Sequence, residues 1–249
     1  MRHRLAFIVG AGLLLGFIPT APKAGEAKKH GFLHRSHKDG ESESNYTLFV
    51  PHGYNGDKTY PLIVFLHGAG ERGDDGNASA KVGLGPAIKK YKGGEKSFPF
   101  FAIFPQCRPN NNWGAKGADA QTALAILADV QKKYKIDDKC IYLTGLSLGG
   151  FGTWSLAAAL PEKWAAIAPI CGGGNPKAAD KIKDIPCWCF HGADDKVVNV
   201  KKSREMIDAL KAAGGQPKYT EYPGVDHNSW DHAYGNAELY AWLLSHKLK

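Results

Sequence analysis

Two rhythms of apolar and polar residues alternate along this chain. Leu62-Ile63-Val64-Phe65-Leu66 and Phe100-Phe101-Ala102-Ile103-Phe104 are short runs with no polar residue, the pattern of a parallel strand buried on both faces. Cys140 to Thr144, Trp164 to Ile170 and Ile185 to Phe190 continue the series. Tyr46 to Val50 and Tyr219 to Tyr222 read as a first and a last strand. Between these runs the period lengthens. Residues 117–135 place Ala118, Ala120, Leu124, Leu127 and Val130 on one stripe, residues 201–213 run helical up to Gly214-Gly215, and a last helix extends from Asp231 to about Lys247. Strands separated by helices predict an α/β fold: one domain, a mostly parallel doubly wound sheet, and helices on both faces. No segment is long enough for a large cap domain, although residues 70–98 could cover part of a pocket. Ligands of such sheets bind beyond the carboxyl ends of the strands.

The first 27 residues follow neither rhythm. Arg2, His3 and Arg4 precede an uncharged apolar run from Leu5 to Ile18, and a stretch of small residues follows Pro19. That run is shorter than the roughly 20 residues a spanning helix needs. The order basic, apolar, small predicts a signal peptide over residues 1–27, cut after Ala24 or Ala27, and a secreted or periplasmic product with no membrane attachment after cleavage. Residues 28–43 are polar and read as a flexible lead-in. The folded domain is expected over residues 44–249.

Composition adds mainly exclusions. With 43% hydrophobic and 22% charged residues, the chain is neither disordered nor a coiled coil. The net charge of +8 comes from scattered pairs such as Lys89-Lys90, Lys132-Lys133 and Lys201-Lys202. Without interleaved aromatics these read as a solvated surface, so no nucleic-acid partner is expected. The five cysteines, Cys107, Cys140, Cys171, Cys187 and Cys189, form no C-x-x-C pair and no zinc spacing. They read as buried apolar residues with room for one bridge. No metal site is expected, and nothing in the sequence sets an oligomeric state.

The chemistry begins at Gly145-Leu146-Ser147-Leu148-Gly149, which lies between a strand and an Ala/Leu-rich helix. In a G-x-S-x-G turn a strained backbone lifts the serine hydroxyl clear of the sheet, and small residues on either side let strand and helix approach. A serine hydroxyl is a weak nucleophile, so it needs a base and an acid that orients the base. On this type of sheet they follow in the order serine, acid, histidine. After the strand ending at Phe190 comes His191-Gly192-Ala193-Asp194-Asp195. Asp195 is the expected acid, and spacing leaves Asp194 open as the alternative. His227, in Gly224-Val225-Asp226-His227, is the expected base; His232, inside the last helix, reads as a surface residue. An oxyanion needs N–H donors. The backbone of Leu148 supplies one, and the loop His67-Gly68-Ala69-Gly70 the other, with Ala69 preferred over Gly70. His67 reads as a residue that organises this loop, because it occupies the same strand-exit position as His191. The charges at Glu71, Arg72, Asp74 and Asp75 read as solvated or as bracing the loop. Trp113 and Trp230 are candidates for contact with substrate, with ordinary packing the competing reading.

With these residues in place, the chain resembles the α/β-hydrolase superfamily, and within it the small secreted esterases grouped with feruloyl and acetylxylan esterases and polyhydroxybutyrate-depolymerase-like proteins. The segments that carry the resemblance are Leu66 to Gly73, Phe104-Pro105-Gln106-Cys107, Gly145 to Gly150, His191 to Asp195 and His227-Asn228-Ser229-Trp230. The resemblance implies hydrolysis of carboxylic esters through an acyl-enzyme, with Ser147, Asp195 and His227 as catalytic residues, no cofactor, and an ester substrate that is polysaccharide-linked. Two other functions use the same residues: a serine peptidase similar to the prolyl oligopeptidase family, and a non-catalytic binding protein on this scaffold.

Overall fold

The five consecutive apolar residues from Leu62 to Leu66 form the middle of the sheet. A computed structural model describes residues 30–249; the expected signal peptide lies outside the described residues. Its strands are β1 (Gly31–Asp39), β2 (Ser42–Val50), β3 (Tyr60–Leu66), β4 (Phe101–Pro105), β5 (Ile136–Leu146), β6 (Ala166–Ile170), β7 (Trp188–Gly192) and β8 (Lys218–Tyr222). They form one sheet in the order β1-β2-β4-β3-β5-β6-β7-β8. β1 and β2 pair antiparallel, as do β2 and β4, and every later pairing is parallel.

Alternation along β3 explains why helices cover both faces. Leu62, Val64 and Leu66 point into a cluster with α2 (Ala118–Lys133), α3 (Leu148–Ala159) and α5 (Lys201–Ala212). Ile63 and Phe65 point into a second cluster with α1 (Leu84–Lys89), α6 (Trp230–Gly235) and α7 (Ala237–Leu244). All five β3 residues are at most 1% exposed, and burying each side chain contributes about 1.5–3 kcal/mol. The short α4 (Ala179–Ile182) packs beside α5. This is the predicted fold: one mostly parallel α/β sheet with no separate cap.

Three local features depart from the sequence reading. From Gly31 onward, the segment expected to be a flexible lead-in is ordered, because Gly31–Asp39 forms β1 and pairs with β2 from Gly31↔Val50 to Asp39↔Ser42. Gly40 closes this hairpin at φ +58, a left-handed turn conformation that glycine adopts freely. Among the described residues, the folded unit therefore includes residues 30–43 ahead of the expected start at residue 44. The edge strand β1 buries little: Phe32, which packs edge-on to Phe49 at 5.0 Å, and Leu33 are each only partly buried. Its composition is accordingly polar. α1 lies within residues 70–98, where the sequence reading assigned no helix. The last helix is two helices, split at Asn236, whose side chain accepts the Glu238 N–H and starts α7.

Candidate active site

β5 runs into α3 through Ser147, whose backbone has φ +51 and ψ −116. A left-handed non-glycine residue costs of order 1–3 kcal/mol, and close backbone packing holds it there. A Cβ on Gly149 would lie 1.9 Å from the Leu66 carbonyl oxygen, and one on Gly145 would lie 2.4 Å from the Gly149 carbonyl oxygen. Only glycine allows β3, β5 and α3 to meet so closely. The Ser147 N–H donates to the Ile170 carbonyl at 3.0 Å, and Cys171 Sγ lies 3.3 Å from the same nitrogen. Cys171 is buried, and burial pushes its thiol up to about 12. Leu148 is the first residue of α3, where a backbone N–H has no acceptor four residues earlier in the helix.

The loop after β8 brings His227 to this turn. Its Nε2 is 2.9 Å from Ser147 Oγ and its Nδ1 is 2.7 Å from Asp195 Oδ2. A carboxylate only accepts, so Nδ1 carries the proton and Nε2 receives the serine hydroxyl. Asp195 is 7% exposed, and its Oδ1 accepts the N–H groups of Val197 at 2.9 Å and Val198 at 2.8 Å. Asp194 is exposed. Of the two aspartates left open by spacing, Asp195 is the one joined to His227. His232 lies exposed on α6 with its ring 5.2 Å from Tyr222. Asp226 received no role from the sequence. Its Oδ1 accepts the Lys196 and His227 N–H groups, so it ties the loop bearing Asp195 to the one bearing His227, and those two bonds hold its carboxyl below the usual carboxylate range.

Side chains brace the loop after β3. His67 is 0% exposed; its Nδ1–H donates to the Gly68 carbonyl at 2.6 Å and its Nε2 accepts the Cys107 N–H at 2.9 Å. Burial lowers its pKa to about 4, so the ring stays neutral and the tautomer fixed. Gln106 bridges the Gly76 N–H and the Glu71 carbonyl. Ala69 is exposed at the start of a single 3-10 turn. Glu71 is half-buried in that turn, and burial raises its carboxyl above the usual range. Trp113 is 1% exposed, and its indole N–H donates to the His67 carbonyl at 3.0 Å. It thus supports the loop, and one side of it also lines a cavity. Trp230 is half-buried, with its ring edge-on to His227 at 5.3 Å.

That cavity, of about 460 Å³, runs along α3 from its first turn, with Trp113, Leu148, Phe151, Trp154, Ile182 and Met206 among its lining residues. Among the described residues, one group of three metal-capable side chains occurs: Cys171, Asp195 and His227, with ligand atoms within 4.8 Å of one another. The imidazole and the carboxylate of this group already bond each other, and the thiol is held protonated, so the set does not fit a metal. The five cysteines are all buried and free.

Residues 98–240 match the phospholipase/carboxylesterase family of α/β-hydrolases. The chain belongs to that family. Its relatives include esterases. It is 29% identical over 189 residues to a bifunctional acetylxylan esterase/xylanase of Neocallimastix patriciarum, covering 73% of this chain and 26% of that protein. It is 28% identical to a probable feruloyl esterase C of Aspergillus niger, covering 74% of this chain and 67% of that protein. A thermostable esterase of known structure superposes with a TM-score of 0.80 at 39% identity, covering 87% of this chain and 63% of that one. The chain therefore spans about a quarter of the length of the two-activity relative and under two thirds of the solved esterase. Among the described residues, no helix is long and apolar enough to cross a membrane.

Proposed function

We propose that the protein is a secreted serine esterase that cleaves acyl groups from carbohydrate through an acyl-enzyme, with Ser147 as nucleophile, His227 as base and Asp195 as acid. The observation that carries this reading is the continuous chain from Ser147 Oγ through His227 to Asp195 Oδ2, at 2.9 and 2.7 Å. Ser147 Oγ attacks the ester carbonyl while His227 Nε2 takes its proton. The oxygen of the tetrahedral intermediate then accepts from the Leu148 and Ala69 N–H groups. His227 returns the proton to the leaving alkoxide, and a water, activated by the same nitrogen, releases the acid.

Two observations favour a bulky aromatic acyl group such as feruloyl. The apolar cavity starts at Leu148, beside the nucleophile, and is walled by Trp113, Phe151 and Met206. The relatives include feruloyl esterases. The basic, apolar, small order of residues 1–27 supports export.

A hydrolysis panel tests this reading: p-nitrophenyl acetate, longer p-nitrophenyl esters, methyl ferulate, acetylated xylan and a peptide amide, with wild type and Ser147→Ala side by side. The expected result is ester cleavage without amide cleavage, abolished in Ser147→Ala and strongest on methyl ferulate. Amide cleavage would favour a peptidase. Silence of the folded wild type on every ester would favour a binding role.

A further inference from the structure

A second imidazole lies against the acid. His191, the fourth residue of β7, is 0% exposed, and its Nε2 is 3.1 Å from Asp195 Oδ2, the same oxygen that His227 Nδ1 reaches at 2.7 Å. The same His191 nitrogen is 2.8 Å from the Val198 carbonyl oxygen. Both neighbours only accept, so Nε2 carries a proton shared between them. On the other side of the ring, Nδ1 is 2.7 Å from Ser203 Oγ on α5. Burial lowers the pKa of His191 and keeps the ring neutral. The two acceptors at Nε2 place the ring proton there, which leaves Nδ1 to accept; the Ser203 hydroxyl beside it also lies 3.0 Å from the Gly172 carbonyl, so its one proton is shared between the two.

We propose that His191 is a positioning residue of the relay: by donating to Asp195 Oδ2 it aims the carboxylate at His227 and takes a share of its charge. This rests on the triad roles proposed above. An Asp195 oxygen bonded to two N–H groups stabilises a protonated His227 less than one bonded to His227 alone. Removing His191 would leave that oxygen to His227 alone. The groups facing His191 are few. Asp195 and Val198 belong to its own loop, Ser203 to α5, and His227 lies across the shared oxygen. Glu221 is its register partner on β8, held charged by Arg204, whose Nε lies 2.9 Å away.

The test compares His191→Leu, His191→Gln and Ser203→Ala with wild type in three measurements: the pH profile of kcat/KM on an active ester, Tm, and an NMR titration of the His227 ring without substrate. For His191→Leu the expected result is a fall in kcat of about tenfold, with the acidic limb and the His227 titration both moving up by about half a pH unit. His191→Gln, which can still donate to Oδ2, should restore much of both. Ser203→Ala, which keeps the ring but removes the hydroxyl that links Nδ1 to the Gly172 carbonyl, should shift both in the same direction by less, and it covers the case in which His191→Leu does not fold. An unchanged His227 titration in every folded variant, with activity loss tracking Tm alone, would overturn the proposal. The titration needs no substrate, so inactivity toward esters would sink the esterase reading and leave this inference to be judged by the titration.

Discussion

His67 and His191 invite comparison: each sits at the end of a parallel strand, each is followed by glycine, and each is fully buried. Burial lowers the pKa of both. Their partners separate them. His67 bonds only backbone, the Gly68 carbonyl and the Cys107 N–H, and so carries its proton on Nδ1 and fastens one loop to another. His191 bonds a hydroxyl and a carboxylate and carries its proton on Nε2. The same dipeptide at the same place on the sheet thus serves as a structural clasp in one case and as part of the acid's surroundings in the other. What decides is whether the next four residues bring an aspartate back to the ring.

The largest effect should come from removing the group that distinguishes them. Asp195→Asn should lower kcat by about 10³- to 10⁴-fold with folding intact, because the amide disfavours the working tautomer of His227. Asp194→Asn should leave kcat within about twofold of wild type. Steady-state kinetics on both variants decides the matter, and a larger loss from Asp194→Asn would reverse the assignment of the acid.

Acid should then expose the clasp. His67 protonates at about 4 in the folded protein and near its ordinary value of 6.5 when unfolded. Between those values the unfolded chain binds the extra proton, so this contribution is fully present above pH 6.5 and is lost as pH falls toward 4. The loss amounts to about 3 kcal/mol. Urea melts across that window should show the slope, and His67→Gln should flatten it. An equally steep slope in the variant would assign the acid sensitivity elsewhere.

The smallest effect concerns what holds the clasp in place. Trp113→Phe keeps the ring and removes the N–H that reaches the His67 carbonyl, at a cost of about 1 kcal/mol. Because that bond supports the loop bearing Ala69, kcat should fall by a few-fold while KM changes little. A rise in KM on aromatic esters at constant kcat would instead mark Trp113 chiefly as a wall of the cavity.

The same contrast shows what can be read from the chain alone. β3 and β4 are legible because burial on both faces leaves unbroken apolar runs, and the G-x-S-x-G turn is legible because close approach demands glycine at fixed positions. β1 is not, since an edge strand is only thinly buried and shows mostly polar residues. The split between α6 and α7 depends on one asparagine cap inside a continuous apolar stripe. His67 and His191 look identical in sequence, and Asp194 and Asp195 nearly so. Which carboxylate turns inward depends on the Val197 and Val198 N–H groups, and backbone donors leave no mark in a sequence.

The segment from His191 to Val198 has a consequence for engineering. It contains the carboxylate, both N–H donors to Oδ1 and the imidazole on Oδ2. The Asp195 carboxylate is thereby held from within one short segment, independently of His227, which lies 32 residues further on. Such a stretch is a portable cassette. Grafted after the last turn of another parallel strand, with a hydroxyl placed behind the ring as Ser203 is here, it would bring its orientation with it, and the base-bearing loop could be redesigned without rebuilding it.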